Sequence, residues 1–398
     1  MYFNTFRNKN STEIIESGDS LEYNLIDTKS TRKPGMYMLN LLKRNRFLAA
    51  LTVLLLLTLI VLLMTACSSG DDHNTNPSSQ TNNNEVSDMK IKVEPAQSDI
   101  GIWYSVWYTY NGDFGNNIQT NIWKNWNIQY KPLLPDGTYG YYDSLDEELI
   151  NYHLEQISEA GIDFLIFDQT NNIDAEGGMI NKRALKVAEC IKSWNDSGKR
   201  SIKYCSAIGK IQWDKNGKAI EDEAVLLYNR YLKEDFGDAY YMLDGKPLLI
   251  VYGDGASDMW NKYLKDGGKS KYTDKFTLRW ADNQSTPGYY GWAYDKGTQQ
   301  DKEVMVVMPG WDNRKGHPPV PRDHGNWYRA SWKEVFTAKN KPKIIVINSF
   351  NEYAENTGVF TALTDLYGDD APDMYWNMTK EYIKLYREGG YFEPNDQN

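Results

Sequence analysis

Cysteine and histidine are both scarce in this 398-residue chain. The three cysteines, at 67, 190 and 205, are odd in number and their spacings match no metal or redox motif. The four histidines, at 73, 153, 317 and 324, form no H-E-x-x-H pair, so a zinc enzyme is not expected. No other metal or cofactor is implied. Cys190 falls in a helical pattern and Cys205 in a strand pattern, where each reads as a small buried apolar group. Basic charge is short as well. The net charge is −10, and residues 1–66 are themselves basic, which leaves 36 Lys and Arg against 49 Asp and Glu beyond them. That balance excludes a phosphate-backbone binder, so no nucleic-acid partner is expected. No G-x-G-x-x-G turn follows a strand pattern, which counts against a dinucleotide fold. What the chain has in excess is rings. Aromatics make up 14% of it, with 13 Trp and 29 Tyr, and so many flat side chains suggest a binding surface as well as a core.

Hydrophobic residues at 41% and charged residues at 25% are ordinary for a globular protein, and exclude a disordered, collagenous or polytopic membrane chain. The N-terminus reads as an address. Lys43-Arg44-Asn45-Arg46 precedes the uncharged run 47–63, and Met64-Thr65-Ala66-Cys67 leads into a Ser/Asn/Asp-rich stretch. A basic segment, an apolar segment and small residues before a cleavage point define a secretory signal. Cys67 after Thr-Ala resembles a bacterial lipobox, in which that cysteine is lipidated, although Met64 stands where leucine is usual. The apolar run also approaches spanning length, so an uncleaved helical anchor is the alternative. The polar stretch directly after Cys67 favours the lipoprotein. Either reading places the rest of the chain outside the cytoplasmic membrane, held to it by the anchor alone. Residues 1–35 form an unusual upstream extension, 36–66 the signal, 67–95 a flexible tether and 96–393 the folded domain.

Within that domain, β-type runs at 100–107, 163–169, 203–209, 247–252, 276–282, 289–294, 303–309 and 343–350 alternate with helical patterns. The helical patterns include 145–161, 180–196, 224–236, 326–340 and 374–390. Eight continuous apolar runs in a βα alternation predict an α/β fold, a single (β/α)8 barrel of the triosephosphate-isomerase type. The alternative is an open doubly wound sheet. The link between the fifth and sixth runs lacks a clear helix.

Barrel active sites lie at the C-terminal strand ends. Those ends carry Trp107, Asp168, Arg279, the run Trp311-Asp312-Asn313, and the run Asn351-Glu352-Tyr353-Ala354-Glu355. Carboxylates, amides and rings together suit a saccharide, whose hydroxyls take paired hydrogen bonds and whose C–H faces stack on rings. Glycoside cleavage needs two carboxyl groups at a defined separation. Glu352 and Glu355, three residues apart, would share a face if the chain turned helically there, with Cβ atoms roughly 5–6 Å apart. That closeness leans toward the retaining arrangement. The competing readings are a dipole-favoured helix start for the two acids, core packing for Trp107 and Trp311, and a cap for Asp168. His153 reads as structural, and His317 and His324 lie in a Pro-rich loop after the seventh run.

Three segments carry a likeness to known proteins. They are Tyr139-Gly140-Tyr141-Tyr142-Asp143-Ser144 with Asp146 and the following HLEQISEAGIDFLIFD, then Pro309-Gly310-Trp311-Asp312-Asn313, then INSFNEYAENTGV. Together they resemble the clan of glycoside hydrolase family 99, the endo-α-mannanases and endomannosidases, and the related WbsX-like proteins of polysaccharide biosynthesis. The resemblance spans about residues 100–390. It implies a metal-free (β/α)8 barrel acting on an oligosaccharide or polysaccharide. It also implies that Glu352 acts as a base on a sugar 2-hydroxyl through a 1,2-anhydro intermediate, and that Glu355 is the acid/base, with net retention. Tyr142, Asn351 and Tyr353 enter the expected substrate site with the matching motifs. Phe350 and Tyr353 stand where the clan has Trp, Ala354 where it has His, and Asn356 where it has Gly, so mannose specificity is not carried over.

The expectation is a surface-anchored glycoside hydrolase cleaving an α-linked glycan. One alternative is an enzyme of surface-polysaccharide assembly. A nucleotide-sugar transferase would show a diphosphate site, and no D-x-D follows a strand run. The other is a non-catalytic carbohydrate-binding lipoprotein. Translation is expected to begin at Met36 or Met38, giving a short basic segment before the apolar run; N-terminal mapping of the precursor checks this, and recovery of Met1 refutes it.

Overall fold

The computed structural model describes residues 90–394, apart from 110–120, 234–235, 282–287, 295–297, 301–302, 314–317, 367 and 369. The segments expected at 1–35 and 36–66, Cys67, the tether up to residue 89, and His317 lie outside the described residues.

Among the described residues, seven parallel strands form the central sheet. They are β1 (Asp99–Ser105), β2 (Phe164–Gln169), β3 (Lys203–Ile208), β4 (Lys246–Tyr252), β5 (Thr277–Ala281), β6 (Val304–Val307) and β7 (Ile344–Ile347). Their order in space is β5–β4–β3–β2–β1–β7–β6. Each strand lies beside its sequence neighbour except β5 and β6, which stand at the two ends of the order, and β7 returns to β1, so the sheet curls with its opening between β5 and β6. β2, β6 and β7 are buried along their whole length, as strands covered on both faces must be. Their continuous apolar runs follow from that.

Helices pack around the sheet as α1 (Glu147–Glu159), α2 (Ala175–Asp196), α3 (Lys218–Leu227), α4 (Ala256–Lys265), α5 (Asn326–Thr337) and α6 (Met374–Glu388). α1 shows why the sequence folds so. Asp146 caps it by accepting from the backbone N–H groups of Glu148 and Leu149. Leu149, Ile150, His153, Leu154 and Ile157 recur at helical spacing and are its buried face. Gly161 at φ +80° then turns the chain back toward β2. His153 is fully buried and shares a 2.9 Å bond between Nδ1 and the Tyr104 hydroxyl; burial pushes its pKa down to about 3, which keeps it neutral.

One expected strand does not form. Residues 289–294 meet β5 at a single bridge between Trp280 and Tyr289. The physical reason is local. The Tyr289 hydroxyl accepts from the Trp292 N–H at 2.8 Å and faces the Trp292 carbonyl at 3.1 Å, so these groups close a loop in place of a ladder. Gly288 at φ +68° reinforces the turn. The aromatic richness of this stretch has the β-propensity of a strand without its hydrogen bonds.

Gly101 in β1 stands opposite Phe164 in β2, whose ring stacks on Tyr241 at 3.9 Å. A Cβ at Gly101 would lie 2.3 Å from that ring. Gly101→Ala is therefore expected to destabilise the protein by about 1–3 kcal/mol, through displacement of a buried ring; denaturant unfolding measures it, and an unchanged midpoint refutes it.

Candidate active site

The site lies where β7 ends. Ser349 to Asn356 form a compact turn in place of a helix. The Glu352 carbonyl accepts from the N–H groups of both Thr357 and Gly358. The Asn351 side chain ties this turn to the end of β1: its Oδ1 accepts from the Ser105 N–H at 2.7 Å, and its Nδ2 donates to the Ser105 carbonyl at 3.0 Å and the Tyr142 hydroxyl at 3.0 Å. The Tyr108 hydroxyl donates to the Asn351 carbonyl and accepts from the Tyr353 N–H.

Held in this way, Glu352 and Glu355 are both buried, at 2% and 6% exposure. Glu352 Oε1 accepts from the backbone N–H of Ala354 at 2.9 Å and of Glu355 at 3.2 Å, and Oε2 accepts from Ser105 Oγ at 3.2 Å. Glu355 Oε2 accepts from the Trp311 indole N–H at 3.1 Å. The third carboxyl, Asp168, stands beside Ser105 across the β1–β2 ladder. It accepts from Thr170 N–H and Oγ, and at 3.4 Å from the Trp107 indole.

Among the described residues none of these three carboxyls is paired with lysine or arginine. The acids therefore act on one another. The Glu352 carboxyl is raised well above the ordinary range, first by burial, then by the charges of Glu355 and Asp168. Unpaired like charges in a buried cluster at strand ends are the mark of a functional site, because a structural cluster carries its counter-ions. Among the described residues no group of three or more His, Cys, Asp or Glu is arranged to hold a metal ion.

The remaining expected residues divide. Trp311 faces the acids, with Tyr294 edge-on at 5.0 Å, and its backbone pairs with Val320 in both directions. The Asp312 N–H donates to the Glu355 carbonyl, and Asp312 and Asn313 are half-buried at the rim. Trp107 touches Asp168, but is buried against Tyr108 and Trp126. Tyr142 and Tyr353 are ring-packed supports: Tyr353 is fully buried against Tyr108, Trp123 and Tyr130, and Tyr142 against Tyr108 and Trp123. Asn351 is committed to the Ser105 backbone. Arg279 stands apart from the acids. It pairs with Glu303, one residue before β6, and with Asp244, two before β4, which places it toward the N-terminal end of the sheet. The expectation that it binds substrate is corrected by that position: strand membership was readable, depth along the strand was not.

Two rings were not foreseen. Tyr252 ends β4 and Tyr294 ends the 289–294 loop; after burial, the negative charge of Glu355 is the largest influence raising each phenol. Asp254 lies beside them and contributes to both shifts. The Tyr-Gly-Asp-Gly turn directly after a strand run was the available signal.

No family model and no curated protein sequence matches the chain. Solved structures do. The glycoside hydrolase family 99 endo-α-mannosidase from Bacteroides thetaiotaomicron is 17% identical at a TM-score of 0.51, covering 73% of this chain and 99% of that one. A complex of that enzyme with bis-tris-propane is 18% identical at a TM-score of 0.52, covering 73% and 97%. The chain thus shares the fold of the family 99 endo-α-mannosidases.

Because the folded chain holds the Glu352 proton more tightly than the unfolded chain, the stability this group contributes is complete below the ordinary value of 4.5 and is lost as pH rises through the raised one. Glu352→Gln, which cannot ionise, is expected to melt higher than the parent at neutral pH, with the difference vanishing toward about pH 4. Thermal unfolding across that range measures it; a variant that melts lower than the parent at neutral pH refutes it.

Proposed function

We propose that this chain is a retaining glycoside hydrolase on a (β/α)8-type barrel, cleaving an α-linked glycan outside the cytoplasmic membrane, to which Cys67 anchors it by lipid. The observation that carries the reading is the buried trio of carboxyls with no cationic partner among the described residues, set against indole and phenol rings at the strand ends. The shared fold with an endo-α-mannosidase supports the substrate class.

Glu352 is the base. A carboxylate whose proton affinity is raised is a better base, and Ser105 with two backbone N–H groups fixes its oxygens. It takes the proton of the sugar 2-hydroxyl while that oxygen bonds to C1 and the C1–O bond to the leaving group breaks. Glu355, oriented by the Trp311 indole, gives its proton to the departing oxygen. In the second half Glu355 takes a proton from water, the water oxygen bonds to C1 as the C1–O2 bond of the anhydro ring breaks, and Glu352 returns a proton to O2. Two inversions at C1 give retention. The Glu352 carboxylate accepts from the backbone N–H of Glu355 at 3.2 Å, so one turn carries both acids.

The full-length protein in mild detergent is expected to release reducing ends from α-mannan or α-glucan, with Glu352→Gln and Glu355→Gln each losing about 10²-fold or more. Unchanged release in both folded variants, or binding without release by the parent, refutes the assignment.

A further inference from the structure

All thirteen tryptophans fall among the described residues, and Trp213 is the one left exposed, at 41%. A single exposed ring is ordinary on a protein surface. Its placement here is not. Trp213 lies in the one-turn helix Ile211–Asp214 directly after β3, on the same C-terminal face as the acids. The neighbouring Gln212 donates to the Thr170 carbonyl at 2.9 Å, and Thr170 in turn holds Asp168. On its other side Gln212 lies against Gly253, between Tyr252 and Asp254, where a Cβ would be 3.0 Å from Gln212 Cγ. The turn therefore joins two strand ends that line the site.

The turn is also fixed in place. Ile211 is buried beneath it, and the Lys210 N–H is held at 2.9 Å by Glu223, a fully buried carboxyl that also accepts from Ile173 after β2. Lys210 and Asp214 pair across the turn. A rigid base presenting an indole to solvent is how a stacking platform is built, since little side-chain freedom is lost when a ligand settles on it. Nothing in the packing requires the ring to be large.

We propose that Trp213 is a distal sugar-stacking platform, and that the substrate is a glycan several residues long, running from the acid pair past Tyr252 to this indole. The proposal rests on the glycosidase reading for the reaction, and on the position of Trp213 for the site. The neutral, C–H-rich face of a pyranose matches an exposed indole beside an acidic cleft.

The test compares the parent with Trp213→Ala and Trp213→Phe, in the full-length protein, on α-mannan and α-glucan and on the matching disaccharides. On the cleaved polymer, Trp213→Ala is expected to raise KM about tenfold, with kcat and disaccharide hydrolysis unchanged, and Trp213→Phe to restore most of the loss. Retardation in gels containing the same polysaccharides reads binding without catalysis, and Trp213→Ala is expected to migrate faster than the parent there. If the parent binds but does not cleave, the hydrolase reading falls while the gel still decides the platform. Equal KM and equal retardation in parent and Trp213→Ala overturn the platform alone. A parent that neither binds nor cleaves any of these glycans overturns both.

Discussion

A single carboxamide bridges the turn after β7 to the last residue of β1. Asn351 engages both backbone polar groups of Ser105, and with them fixes the height and direction of the chain that follows. The acids on either side of Tyr353 can be buried because that turn is rigid. A mobile turn would let water in, undoing the burial that chiefly raises the Glu352 carboxyl and screening the repulsion that adds to it. The order of causes is therefore packing first, electrostatics second and chemistry third. Rings that appear to belong to a binding site, Tyr108, Tyr142 and Tyr353, do their work one layer below it.

The two ends of the sheet solve opposite problems. Toward the N-terminal end, charges are matched: Arg279 with Glu303 and Asp244, and Asp163 with Arg200 and Arg387. At the C-terminal end, the donors to Asp168, Glu352 and Glu355 among the described residues are neutral: indole, hydroxyl and backbone. Neutral donors orient a carboxylate without cancelling its charge. At Glu352, burial and the neighbouring acids then hold the proton affinity up.

Much of this was legible in the sequence, and the misses have physical reasons. The alternation of apolar runs with amphipathic segments located the seven parallel strands, since strands buried on both faces must be apolar throughout, but not the short antiparallel strands Met242–Leu243 and Thr298–Gln300 at the edges of the sheet. Helix α1 was readable from Asp146 and its buried stripe, whereas α4 was not singled out, although Ala256, Met259, Trp260 and Tyr263 recur at helical spacing and pack on the core. Glu352 and Glu355 were singled out from their place after the last strand, and the fold buries both there. The chain makes a compact turn where a helical one would have set them on one face. Asn351, Tyr142 and Tyr353 were assigned to the substrate because polar and aromatic residues near acids look alike in a sequence, whether they face the ligand or hold up the wall. Arg279 shows the same limit along the strand axis.

The loop at 288–294 carries a different lesson. Elsewhere the sheet is joined by repeating backbone rungs, so no single side chain decides whether neighbouring strands stay together. Beside β5 two side chains reach this loop's carbonyls from within: the Trp103 indole donates to Tyr290 and the Asn348 amide to Gly291. Continuity at that seam is written in side chains, so evolution can open or restyle this flank by point substitution, a freedom denied to the rest of the sheet.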